Sequence, residues 1–127
     1  TRALGPGARG LPEAYREVGQ PVIIGGSMET GSWLLTGTAA AVSSLRTTAH
    51  GAGRSMSRSQ AKKQFEGRKL KADLEYRGIL VRTASLAGLA EEAGRAYKDV
   101  DAVVSVAERA GLSSPVARLV PLACIKG

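Results

Sequence analysis

Cysteine and histidine each occur once in 127 residues. The lone Cys124 has no partner for an internal disulfide, and one cysteine with one distant histidine makes no Cys/His metal cluster. No metal ligands are therefore expected from this chain. No apolar run approaches the roughly 18 residues that a membrane helix needs. The first residues, Thr1-Arg2-Ala3-Leu4-Gly5-Pro6-Gly7, lack the apolar stretch of a signal peptide. Aromatic residues make up 4% of the chain, too few for a platform that stacks nucleic-acid bases. Cys124 sits in the apolar run Leu119–Ile125, so it reads as a buried, inert thiol in a reducing compartment, the cytoplasm.

What is present is glycine, with 16 residues, and positive charge, with 18 Lys and Arg against 11 Asp and Glu. The net charge of +7 favours anionic partners such as nucleic acid or nucleotide, although many small domains are basic for solubility alone. An apolar fraction of 43% suits one globular domain over residues 1–127.

Residues 1–20 are rich in Gly and Pro, with a short segment Glu13–Glu17 between turns. Pro21–Ile24 reads as a buried strand stopped by Gly25-Gly26, and Ser32–Thr36 as a second one stopped by Gly37, the two forming a hairpin. Residues 38–49 are small and rich in Ser and Thr, with no assignable pattern. Ser57-Arg58-Ser59-Gln60 fits a capping box, and the helix that follows is expected to end at Gly67. Arg77–Arg82 reads as a strand. Asp99 can cap a helix whose Val100, Val103, Val104 and Ala107 share one face. Val116–Ile125 reads as a last strand. Together these predict an α+β fold, a mixed β-sheet with flanking helices.

Four features carry possible chemistry. His50 enters the turn His50-Gly51-Ala52-Gly53, where absent side chains let backbone N–H groups approach an anion. A lone histidine is usually structural, but an imidazole beside a phosphate cradle suggests attack on phosphorus with His50 as nucleophile. Arg54, Arg58, Lys62, Lys63, Arg68, Lys69 and Lys71 lie between positions 54 and 71, opposed only by Glu66. Arg58 and Lys62, four apart, form a positive stripe on one helix face. That stripe reads either as a solvated surface or, with Arg54, as a contact for RNA phosphates. Gly25-Gly26-Ser27-Met28, with Ser32 beyond, is either an ordinary hairpin loop or a nucleotide-binding loop. Lys126 either frays in solvent or is anchored by the apolar strand before it.

The segments TRALGPGARGLPEAYREVGQPVII (Thr1–Ile24), GGSMETGSWLLTGT (Gly25–Thr38), HGAGRSMSRSQAKK (His50–Lys63), EEAGRAYKDVDAVV (Glu91–Val104) and RLVPLACIKG (Arg118–Gly127) resemble, in order and spacing, the C-terminal part of RtcB RNA ligases. The resemblance covers essentially the whole chain. It implies the C-terminal part of the RtcB fold and an enzyme that joins an RNA 3′-phosphate or 2′,3′-cyclic phosphate to a 5′-hydroxyl, using GTP and manganese, in tRNA splicing or RNA repair. It implies that His50 becomes covalently guanylylated. It also implies guanylate contacts at Gly25, Gly26, Ser27, Met28, Ser32, His50, Gly51, Ala52, Gly53, Tyr97 and Lys126, the last two near the guanine. The implied partners are RNA, the N-terminal half of the ligase and an archease-like activator. In the family, the manganese ligands come from that N-terminal half.

Two positions depart from the family pattern. Gly25 stands where proline is usual, and Glu29 stands where the second glycine of Gly-Ser-Met-Gly-Thr is usual. A carboxylate at position 29 repels bound phosphate unless it points away, and it strains the backbone if that position needs a positive φ. The opening Thr1, met inside a family motif, suggests a piece of a longer ligase, from proteolysis, a split gene or intein removal. Alone, such a piece is expected to be inactive. The competing reading is a guanine-nucleotide- or RNA-binding fragment without turnover, and a weaker one is a basic domain with no ligand.

Overall fold

Glycine punctuation, helix caps and apolar alternation place most of the elements in this computed structural model, which describes residues 1–126. Pro21–Gly25 (β1) and Ser32–Gly37 (β2) form the expected antiparallel hairpin, with Ile24 opposite Trp33 and Gly25 opposite Ser32. Ser113–Leu119 (β4) adds to the other side of β2, giving an antiparallel sheet in the order β1-β2-β4. Its register shifts opposite Leu34 and Leu35, where β4 carries Pro115. Proline has no N–H to give a ladder, and an edge strand with a bulge is where it is tolerated. A second, parallel pair joins Leu80–Thr83 (β3) to Ala123–Lys126 (β5). The fold is α+β as expected, with antiparallel and parallel pairing divided between two sheets.

The expected last strand, Val116–Ile125, is therefore two strands in two sheets. Pro121 lies between them, and there the chain leaves β2 to run beside β3. The strand expected at Arg77–Arg82 starts only at Leu80. Arg77 and Gly78 instead close Gly67–Tyr76 (α2), a helix that the sequence pattern did not suggest. Gly67 begins α2 rather than ending Arg58–Gln64 (α1). A Cβ at Gly67 would collide with the Leu86 carbonyl of the next helix, so its glycine is a packing requirement and not a stop signal. That next helix, Leu86–Glu91 (α3), also went unexpected; Ser85 caps it by accepting the Gly88 N–H at 3.0 Å. The unassigned stretch 38–49 contains a 3₁₀ helix, Ala39–Ser44.

The capping box at Ser57 forms as expected, with both reciprocal bonds to Gln60. Asp99 caps Val100–Arg109 (α4), which buries Val100, Val104 and Ala107. These pack on Val22, Ile24 and Leu35 of the antiparallel sheet as one core. Leu74, Ile79, Val81 and Leu89 make a second core between α2, α3 and β3, with half-buried Met28, Leu70 and Cys124 against it. Among the described residues, no helix is long and apolar enough to cross a membrane.

Leu74 is fully buried at the centre of the second core. Leu74→Ala is expected to lower unfolding free energy by about 2–5 kcal/mol, read by urea titration, because the cavity it leaves cannot collapse fully between two helices and a strand.

Candidate functional site

The end of β1 fixes the site. The Gly25 N–H donates to the His50 carbonyl at 3.2 Å, and the Gly25 carbonyl accepts the Ala52 N–H at 2.7 Å. This short parallel bridge seats the histidine turn directly on the glycine pair. Gly26 then donates to Ser32 Oγ at 3.3 Å. A Cβ on Gly26 would strike the Gly31 carbonyl, so the loop closes on itself only with glycine there. Ser27 Oγ accepts from the N–H groups of Glu29 and Thr30, both at 3.2 Å, which makes 27–30 a tight turn. Beyond Ala52, which is buried, Gly53 takes a φ of +75°. The exposed His50 side chain has no hydrogen-bond partner among the described residues.

Beside this turn lies a cleft of about 230 Å³ lined by Gly26, Ser27, Met28, Ser32, Glu92, Tyr97, Cys124 and Lys126. Six of these residues were expected from sequence. Gly25, Gly51 and Ala52 are held next to it by the bridge, while the side chain of His50 does not line it. Lys126 does not fray: it belongs to β5, its carbonyl accepts the Ala84 N–H at 2.9 Å, and its Nζ lies 3.7 Å from Glu92 Oε1. Cys124 is half-buried rather than fully buried, with Sγ 3.5 Å from Met28 Sδ. Desolvation raises its thiol pKa; Lys126 opposes this and Glu92 adds to it, so the thiol stays protonated at neutral pH.

Sequence reasoning missed Glu91 and Glu92, at the C-terminal end of α3. The Tyr97 hydroxyl donates to Glu92 Oε2, and Arg54, Arg58 and Lys126 lie 3.6–3.7 Å from the same carboxylate. Glu91 pairs with Lys62 and, at 3.7 Å, with Arg58. The signal that could have found them is an adjacent carboxylate pair, the only one in the chain, flanked by Ala90 and Ala93. Arg54 was expected to face RNA. Its donors instead go to Tyr97 Oη at 3.1 Å, the Met56 carbonyl at 3.1 Å and the Glu91 carbonyl at 2.5 Å. Its guanidinium lies 4.8 Å from the Tyr97 ring centre. Arg58 and Lys62 are also engaged by the acidic pair, yet their side chains remain 67% and 47% exposed.

Glu29 does point away from the cleft. Its Oε1 accepts the Gly94 N–H at 2.5 Å, its Oε2 lies 3.9 Å from Arg77, and Arg77 donates to its carbonyl at 2.6 Å. Its φ is not positive, so the departure from glycine carries no backbone strain.

A glycine-flanked histidine turn is thus clamped to a strand end beside a polar cleft. The family model described as tRNA-splicing ligase RtcB matches residues 1–127, and the chain belongs to the RtcB family. It is 53% identical over 128 residues to the tRNA-splicing ligase RtcB of Archaeoglobus fulgidus, covering all of this chain and 27% of that protein. It is 48% identical to the Pyrococcus furiosus tRNA-splicing ligase RtcB, again over the whole chain but 13% of that relative. The RNA-splicing ligase RtcB of Mycobacterium tuberculosis is 48% identical over 127 residues, 29% of its length. The chain thus spans between about an eighth and three tenths of the curated relatives it matches.

Burial alone would raise the pKa of Glu92, but the Tyr97 hydroxyl, Lys126, Arg54 and Arg58 outweigh it and hold the carboxyl below its ordinary value of 4.5. A lowered pKa means that the native state prefers the ionised form. The stabilisation is complete above the ordinary glutamate range and is lost as pH falls through the lowered native value. Urea unfolding between pH 7 and pH 3 is expected to show that loss at the acid end. Glu92→Gln should be less stable at pH 7 and should lack this part of the acid dependence.

Proposed function

We propose that this chain supplies the guanylylation part of an RNA ligase that joins an RNA 3′-phosphate, or a 2′,3′-cyclic phosphate opened by water, to a 5′-hydroxyl. The observation that carries the reading is the backbone bridge from Gly25 to the His50–Ala52 turn, which holds the turn bearing the only histidine next to a cleft lined by Gly26, Ser27, Met28, Ser32, Tyr97 and Lys126. GTP is the nucleotide, its guanine towards Tyr97 and Lys126 and its phosphates towards the glycine turn. A neutral His50 attacks the α-phosphorus; a P–N bond forms, the P–O bond to pyrophosphate breaks, and pyrophosphate leaves. The guanylyl group then moves to the RNA 3′-phosphate, which frees His50. The 5′-hydroxyl attacks that activated phosphorus and expels GMP, its proton passing to solvent.

The N–H groups of the turn and the ammonium of Lys126 offer positive poles to charge developing on phosphate and base. Manganese supplies further charge neutralisation in this reading. Among the described residues no group of three His, Cys, Asp or Glu is placed to hold it, and we assign it no ligand here. It belongs with the rest of the ligase, which, with RNA and an archease-like activator, is the partner this reading carries. Arg58 and Lys62, exposed at one edge of the acidic pair, meet RNA phosphates by exchanging Glu91 for them, with Arg54 behind. The setting is the reducing cytoplasm.

Labelling with GTP carrying a radioactive α-phosphate tests the reading. The full-length enzyme is expected to form an acid-labile, base-stable adduct on His50, and His50→Ala to abolish it without changing the thermal midpoint. Covalent GMP in the His50→Ala protein would identify another nucleophile and end the assignment. Tight GMP binding with no adduct in the wild type would favour a binding module. The 127-residue chain alone is expected not to ligate, and joining of a 3′-phosphate RNA to a 5′-hydroxyl RNA on a gel should return only when the remaining length of the ligase is added.

A further inference from the structure

In the ligase reading, the groups that would meet a base in this cleft are a phenol and a lysine on separate elements. Tyr97 follows the 3₁₀ turn Gly94–Ala96, and Lys126 ends β5. Their backbones are held by β5 and by the Arg54–Tyr97 bridge, but neither element fixes the polar end of the side chain. A lysine carries a compact charge on four flexible methylenes, and with 38% of its side chain exposed Lys126 would otherwise sample solvent freely. Glu92 reaches both. It accepts the Tyr97 hydroxyl and lies 3.7 Å from Lys126 Nζ, with only 16% of its side chain exposed. Arg54 and Arg58 hold the carboxylate from its other side at 3.6 and 3.7 Å.

The hydrogen-bond inventory then limits what each group can do. The Tyr97 hydroxyl gives its one proton to Glu92 and accepts from Arg54 at 3.1 Å. It therefore offers a ligand its ring rather than its oxygen. Lys126 Nζ lies 3.7 Å from Glu92 Oε1, an ion pair longer than a hydrogen bond, so its N–H donors remain for acceptors in the cleft. Guanine presents two adjacent acceptors, O6 and N7, on one edge. Adenine puts an amino donor in the place of O6.

We propose that Glu92 is the positioning residue of this cleft: its carboxylate fixes the Tyr97 hydroxyl and aims the Lys126 ammonium, so that both are held ready for a bound nucleotide. The inference rests on the ligase reading above and adds to it a residue that need not touch the nucleotide. Glu92 works through its neighbours, so its removal changes affinity for the base while the chemistry at His50 stays intact.

The test uses the full-length ligase and adduct formation at His50. Glu92→Gln keeps an acceptor for Tyr97 and nearly the same shape but loses the charge that holds Lys126. It is expected to raise KM for GTP about tenfold, with kcat at saturating GTP within about twofold, the signature of lost uniform binding. Lys126→Ala should raise KM similarly, and the double variant should rise little further, because both act through one interaction. An unchanged KM in Glu92→Gln, or KM effects that multiply fully in the double variant, overturns the proposal. Should Glu92→Gln fail to fold, Tyr97→Phe keeps the ring and removes the hydroxyl that Glu92 fixes; a raised KM supports the proposal and an unchanged one overturns it. Absence of any His50 adduct in the wild type overturns the ligase reading and this inference together. A labelled wild type with unmoved KM in the variants overturns the role of Glu92 alone.

Discussion

Two hydrogen bonds between Gly25 and the 50–52 turn decide where everything else lies. They extend β1 by one rung, in parallel, into a segment 25 residues further along the chain. Without that rung the histidine turn would be held only from its far end, by the Lys98 N–H on the Gly53 carbonyl at 2.9 Å and the Arg54–Tyr97 bridge, and by buried Ala52. With it, the turn inherits the rigidity of a strand whose Val22 and Ile24 are locked in the core against α4. Site residues placed by a strand end are held more closely than residues on free loops, and phosphorus chemistry depends on such placement.

Charge is organised around the same place. The chain is strongly basic, yet its α1 cations are met by the acidic pair at the end of α3. The half-buried carboxylates need those cations, since a carboxylate removed from water without partners would give up its charge. The basic run thus has two sides. Arg54 turns inward to Tyr97, while Arg58 and Lys62 bridge from the acidic pair to the surface. A sequence gives the number of charges but not which of them are already matched.

That difference marks what was legible in the sequence. The hairpin, α1 and α4 were readable because each carries its own local instruction: paired glycine stops, a Ser-x-x-Gln box, an aspartate cap ahead of a valine face. The glycine-bearing parts of the site were readable for the same reason. α2 and α3 were not. Gly67 reads as a stop unless the Leu86 carbonyl pressing on it is known, and α3 is only six residues long. The division of Val116–Ile125 into two strands depends on which neighbour each half finds, with Pro121 as the one local hint. Glu92 was invisible because its role arises where α3, β5 and the 54–58 segment converge, and those elements are far apart in sequence.

The contact between Glu29 and Gly94 couples two distant segments of the chain. A Cβ at position 94 would come within 2.9 Å of the Glu29 carboxyl carbon and Oε1, whereas the glycine N–H holds that carboxylate aside. A side chain at 94 would push the flexible carboxyl end of Glu29 off the Gly94 N–H and leave Arg77 as its remaining partner. The direction of the acid at 29, and with it the charge felt in the neighbouring loop, is thus set by a residue 65 positions away.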